Sequence, residues 1–186
     1  MDRIILASAS PRRKQLLVWA EIPFDSLPSD ADEWVPEGLP IFEIPVFLAS
    51  QKAALVRKKT GPGKIILAAD TMVILDQELL GKPSDRADAI RMLSLLSGRA
   101  HEVITGVSIT NDHKEVLFAE TTSVRFHTLS RAGIEHYVDT YHPFDKAGAY
   151  AIQEWIGVTG IHSIEGDFYN VMGLPVSRVV QELKTF

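Results

Sequence analysis

The apolar positions fall into short continuous runs and stretches with helical spacing. Residues 4–7 form an aliphatic run after Arg3 and predict a buried strand. A helix follows over 11–19, with Ser10 as N-cap and Pro11 at the first helical position. Residues 20–45 contain five prolines and read as irregular chain. Pro45 opens a helix to about residue 59, stopped by Gly61-Pro62-Gly63. "KIILAADTMVIL" (64–75) predicts a buried strand, interrupted or ended near Asp70, and Asp76-Gln77 turns it into a second short strand. Ser84 is the expected cap of a helix over 85–97, with Ile90, Leu93 and Leu96 on its apolar side and Gly98 as terminator.

Strands over about 102–110 and 115–126 flank an "NDHK" turn, and Ser130 caps a helix to about Thr140. Within 141–173 the expected strand pieces are 149–152 and 163–164, and Pro175 opens the last helix. Helices that alternate with strands, with hairpins among them, predict a mixed sheet in an α/β (mixed α+β) fold.

Composition narrows the class. The 186 residues are 46% hydrophobic and 23% charged, which describes one ordinary globular domain. No apolar run approaches the roughly 20 residues of a membrane span, so no membrane association is expected. "MDRIILASAS" does not read as a signal peptide, and a cytoplasmic location is the expectation. With no cysteine, thiol chemistry is excluded and any metal must take O or N ligands. A net charge of −5 and the lack of interleaved aromatic and basic residues argue against nucleic acid as a partner.

Against that acidic balance, "ILASASPRRKQLL" (5–17) stands out. A helix N-terminus carries partial positive charge, yet Arg12, Arg13 and Lys14 follow Pro11 at once. Outward backbone N–H groups at a strand-to-helix turn, the hydroxyls of Ser8 and Ser10, and two forked guanidinium groups suit phosphate oxygens. A solvated basic patch is the alternative.

Lys52 shares a helix face with Leu48 and Leu55, either facing inward or snorkelling at the edge. Asp70 follows a run of apolar and small residues, so its carboxylate is expected to be partly buried. A buried carboxylate needs a cation, a metal or a proton, and Lys52 and Lys82 are both candidate partners. The alternative is a structural aspartate capping a turn with Thr71. The acidic loop "SDADEWVPEG" (29–38) either stays solvated or lends a carboxylate that joins Asp70 on a divalent cation. Gly81-Lys82-Pro83 fixes a lysine at a strand end; without the Walker pattern it reads either as part of a phosphate-binding loop or as a plain turn. In "HPFDKAGAYAIQEW" (142–155) the Gln153 amide can pair with a base edge or cap a turn, and Glu154 is a further carboxylate. The six histidines have no zinc-ligand spacing.

"SASPRR", "LASQKA", "AADTMV", "LGKP", "HEVITGV", "DKAGAYAIQ" and "NVMGLP" occur in this order. Together they closely resemble the Maf family of nucleoside triphosphate pyrophosphatases over essentially the whole chain. The resemblance implies a single bilobed domain over 1–186, akin to the inosine triphosphatase group. Its elongated mixed sheet would carry flanking helices and a deep cleft between two lobes. It also implies cleavage of a nucleoside triphosphate to monophosphate and pyrophosphate with a divalent cation, Mg²⁺ or Mn²⁺. Members are cytoplasmic and often homodimers.

"AIQ" at 151–153 looks like the branch that acts on dTTP and UTP. The alternatives are a 7-methyl-GTP-type purine substrate and a nucleotide-binding cell-division regulator without catalysis. By position, Ser8, Arg12 and Arg13 match the phosphate-binding turn, and Lys82 the second phosphate lysine. Glu33 and Asp70 match the acids assigned to metal and catalysis, Lys52 the helix lysine, and Gln153 the specificity amide. Asp70 is the preferred base. Two departures stand out: Asp167 where many members have Ser, and Glu154 where Gly is more common.

Overall fold

The computed structural model describes residues 3–30 and 34–186. In chain order it runs β1 (Ile4–Leu6), α1 (Pro11–Trp19), β2 (Phe24–Ser26), α2 (Ile44–Arg57), β3 (Ile66–Leu75), β4 (Glu78–Leu80) and α3 (Arg86–Leu96). The hairpin strands β5 (Ala100–Thr110) and β6 (Glu115–Phe126) follow, then α4 (Arg131–Tyr141) and a 3₁₀ turn over Ala147–Ala149. The chain ends with α5 (Trp155–Gly160), β7 (Ile161–Glu165), α6 (Phe168–Val171) and α7 (Val176–Leu183). The strands form one mixed sheet in the order β2-β1-β3-β5-β6-β7, with β4 paired to β3, and helices flank it. The fold is the expected mixed α/β class. No helix among the described residues is long and apolar enough to cross a membrane.

The chain divides into two compact units, changing from one to the other within β3, β5 and β6. The first comprises Met1–Thr71, Thr105–Glu120 and Gly173–Phe186. In it β1 lies parallel to both β2 and β3, with Ile5 opposite Ile66 and Leu6 opposite Leu67. A parallel strand covered on both faces reads as a continuous apolar run, which is why residues 4–7 and 66–69 lack alternation. Ile5, Ala7, Ala53, Val56, Ile66 and Ala68 pack into one core cluster under α2. The fully buried Val56 and Ile66 side chains there each contribute about 1.5–3 kcal/mol. Gly106 lets the start of α2 lie on β5, because a Cβ would stand 2.1 Å from the Pro45 carbonyl carbon.

The second unit comprises Met72–Ile104 and Thr121–Met172. Asp76 and Gln77 both take left-handed backbone, φ 50° and 68°, which suits a two-residue hairpin turn between β3 and β4. Helix α3 buries Ala89, Ile90, Met92, Leu93 and Leu96 and packs on α4 and on the 3₁₀ turn. Arg86 at its start forms a two-pronged ion pair with Asp139 of α4, at 2.6 and 2.8 Å.

Four local expectations differ from the structure. β3 is continuous through Asp70 rather than broken there. The cap of α3 is Asp85, whose carboxylate accepts from the Asp88 N–H at 2.8 Å; Ser84 lies one residue outside. Residues 149–152 are not a strand, because Gly148 and Ala149 adopt φ 67° and 59°, which breaks extended pairing. The stretch 20–45 holds strand β2, whose pairing comes from β1 rather than from any local pattern.

Candidate functional site

In the first unit the β1–α1 turn is built from hydroxyls. Ser10 N–H donates to Ser8 Oγ at 3.2 Å, and Ser10 Oγ accepts from Arg13 N–H at 3.4 Å. Ser26 Oγ donates to the Ser8 carbonyl at 3.0 Å, tying the turn to β2, and Ser8 itself is buried. The expected N-cap and first-turn proline are both present.

Arg13 spans three segments from one guanidinium. Its Nε donates to the Gly173 carbonyl at 2.7 Å, Nη2 to Thr71 Oγ1 at 3.0 Å, and Nη1 to Ser8 Oγ at 3.3 Å. Thr71 also shares a hydrogen bond with Thr105 Oγ1 at 2.9 Å. The planar fork therefore fixes the turn to β3 and to the segment before α7, a geometry lysine could not reproduce. Gly173 has φ 112°, and this left-handed backbone presents its carbonyl to Arg13. The sequence points to Thr71 only as a turn partner of Asp70, and it singles out neither Thr105 nor Gly173. Arg12 lies half-buried beside Arg13 on the first turn of α1.

On the neighbouring residue of β3, Asp70 Oδ1 meets Lys52 Nζ of α2 at 2.5 Å. Both side chains are 13% exposed. Of the two lysines that the sequence offered, Lys52 is thus a partner of Asp70, and it faces inward rather than snorkelling. Consecutive residues of a strand point to opposite faces. Asp70 turns toward α2 and Thr71 toward Arg13, so β3 aligns an acid–cation pair and a guanidinium-bound hydroxyl on either side of one backbone.

Glu33 lies outside the described residues. Among those described, no group of three His, Asp or Glu side chains is placed to hold a metal ion.

In the second unit Lys82 is exposed between β4 and α3, flanked by buried Pro83 and by Gly81, whose carbonyl accepts from Gly148 N–H at 3.0 Å. Gln153 is also exposed, on the turn that leads into α5. Glu154 is not a loose acid: it accepts from the buried Tyr137 hydroxyl and lies 3.5 Å from Lys146 Nζ. His101 is buried, with Nε2 2.7 Å from the Tyr150 hydroxyl, and burial pushes its pKa down to about 4. Asp167 caps α6 by accepting from Tyr169 N–H at 2.7 Å. Nothing in the sequence marks a role for Tyr137, a core aromatic in a helical stripe.

A family model for Maf-like proteins matches residues 3–186. A Bacteroides fragilis protein named dTTP/UTP pyrophosphatase is 47% identical over 184 residues, covering 98% of this chain and 95% of its own. Proteins of the same name from Porphyromonas gingivalis and Cytophaga hutchinsonii are 46% and 49% identical, covering 99% and 97% of this chain and 94% and 83% of theirs. Among solved structures, the Staphylococcus aureus Ham1 protein superposes with a TM-score of 0.46 at 18% identity, covering 67% of this chain and 72% of that one. That likeness is too partial to bear on fold or function. The match of one family model across nearly every residue, with relatives close to half identical from end to end, places the chain in the family of Maf-like proteins.

Proposed function

We propose that this chain hydrolyses dTTP and UTP to the nucleoside monophosphate and pyrophosphate, clearing triphosphates from the nucleotide pool. Relatives that match it almost end to end bear that activity as their name. The observation that carries the reading is the buried Lys52–Asp70 pair, an acid held by a cation on β3. Phosphoanhydride cleavage needs charge neutralisation, a positioned water and a base to take its proton.

Asp70 is the base: it orients the attacking water and accepts its proton as the bond between the α and β phosphates breaks. Lys52 holds the carboxylate through Oδ1 and offsets negative charge that grows on the phosphate oxygens. Ser8, Arg12 and Arg13, at the N-terminus of α1, bind the triphosphate, and Lys82 adds a further cation. Gln153 pairs its amide with the pyrimidine edge.

The donor chemistry fits a divalent cation. Mg²⁺ takes oxygen ligands, commonly one or two carboxylates together with phosphate oxygens; Asp70 offers such a carboxylate, and the family resemblance gives Glu33 the same role. When bound, Mg²⁺ or Mn²⁺ would neutralise phosphate charge and make the pyrophosphate a better leaving group.

The test is pyrophosphate release from dTTP, UTP, dCTP and 7-methyl-GTP, with Mg²⁺ or Mn²⁺ and after chelation. We expect turnover of dTTP and UTP that chelation abolishes. Activity confined to the methylated purine, or binding of dTTP without turnover, would overturn the reading.

A further inference from the structure

Residues 150–154 lie between the 3₁₀ turn and α5, and they are held at almost every position. The Tyr150 hydroxyl pairs with buried His101 at 2.7 Å, and its ring packs edge-on against Phe126 with centroids 5.1 Å apart. Ala151 N–H donates to the Tyr137 hydroxyl at 3.2 Å. The Ile152 carbonyl lies against Gly157 so closely that a Cβ there would stand 1.9 Å from its oxygen. Glu154 Oε2 accepts from the same Tyr137 hydroxyl, while its Oε1 faces Lys146 Nζ at 3.5 Å. Lys146 is itself buried and bonded to Asp145 at 2.8 Å.

One residue in the run differs. Tyr150, Ala151 and Ile152 are buried and Glu154 is half-buried, whereas Gln153 is exposed. A single phenol oxygen thus grips the backbone two residues before Gln153 and the side chain one residue after it. It does so from α4, a separate and regular helix. A loop fastened on both sides of one exposed amide has little freedom left except the rotamers of that amide. Two polar groups whose relative placement is fixed discriminate hydrogen-bonding edges far better than a mobile pair. An ordinary core tyrosine would need no carboxylate and no buried lysine behind it.

We infer that Tyr137, gripping Ala151 and Glu154 with Lys146 behind it, is a positioning residue that holds Gln153 for base selection. This rests on the assignment of Gln153 to the base. Tyr137 touches neither the phosphates nor the reacting atoms in that assignment, so its removal acts on selectivity and KM before kcat.

The experiment compares wild type, Tyr137→Phe, Glu154→Gln and Gln153→Ala, with kcat and KM measured separately for dTTP and dCTP. Gln153→Ala should collapse the dTTP:dCTP ratio of kcat/KM. Tyr137→Phe keeps the ring and loses only the hydroxyl. It should lower the same ratio about 5- to 10-fold, as expected for loss of one or two buried hydrogen bonds, by raising KM for dTTP with kcat within about 2-fold. Glu154→Gln keeps an acceptor for the hydroxyl but loses the charge facing Lys146, and should fall between wild type and Tyr137→Phe. If Gln153→Ala collapses the ratio while Tyr137→Phe and Glu154→Gln leave it at the wild-type value, positioning is overturned and the base assignment stands. If Gln153→Ala leaves the ratio unchanged, both are overturned. An equal fall in kcat for both bases in Tyr137→Phe marks a merely structural tyrosine and also overturns the inference. Should Tyr137→Phe fail to fold, Glu154→Gln carries the comparison alone.

Discussion

The side chain on which the proposed chemistry turns is Asp70, and its neighbourhood dictates a sharp test. Asn has almost the same shape and keeps an oxygen for Lys52 Nζ, but it takes no proton from water. Asp70→Asn is expected to lower kcat for dTTP by about 10²- to 10⁴-fold, the usual share of a general base. The melting temperature should stay near that of wild type, because the Lys52 contact persists as a hydrogen bond. Near-normal pyrophosphate release would remove Asp70 from the role. At this scale the sequence was informative: an acid closing a run of small and apolar residues signalled a buried carboxylate in need of a partner. Which lysine supplied it was not legible, since Lys52 and Lys82 lie 18 and 12 residues away with no pattern to choose between them.

Among the elements, helices with apolar periodicity were legible to within a residue or two, and elements defined by a distant partner were not. α1, α2 and α4 begin where their caps and prolines predict. β2 is three residues long and exists because β1 offers a parallel edge, while α5 and α6 have six and four residues, too few for a period. The start of α3 separates two neighbouring candidates. Asp85 caps it through its carboxylate, and Asp88 reaches back to the main-chain N–H of Ser84. Asp85→Ala should therefore destabilise the protein by about 0.5–2 kcal/mol. Ser84→Ala keeps the N–H that Asp88 uses and should change stability by no more than about 0.5 kcal/mol. Urea unfolding of the two variants measures both, and equal losses would return the cap to Ser84.

Stability of the whole molecule carries the imprint of one buried histidine. Unfolded, His101 takes a proton near pH 6.5; folded, burial delays this until about pH 4. Between those values the unfolded chain binds more protons, so stability falls as pH drops through the window. From pH 7 to pH 5 the loss from this group is about 1–2 kcal/mol. His101→Gln keeps a partner for the Tyr150 hydroxyl and has no charge to acquire. Its unfolding free energy, measured in urea at both pH values, should be correspondingly flatter, and equal slopes for the two proteins would disprove the account.

Local physics determined much of this protein from the sequence by itself. It set the mixed α/β class, the cap and proline of α1, the runs that become doubly covered strands, and the residue types that phosphate chemistry requires. Those features depend on neighbours within one turn or one strand. The tertiary structure alone decided that Lys52 neutralises Asp70, that Arg13 clamps Ser8, Thr71 and Gly173, and that Tyr137 holds the chain on both sides of Gln153. Apart from Arg13 and Ser8, which are five positions apart, each of these joins residues from 14 to 160 positions apart. No periodicity records such a pairing, because it is created when sheet order and helix packing bring the side chains within hydrogen-bond reach.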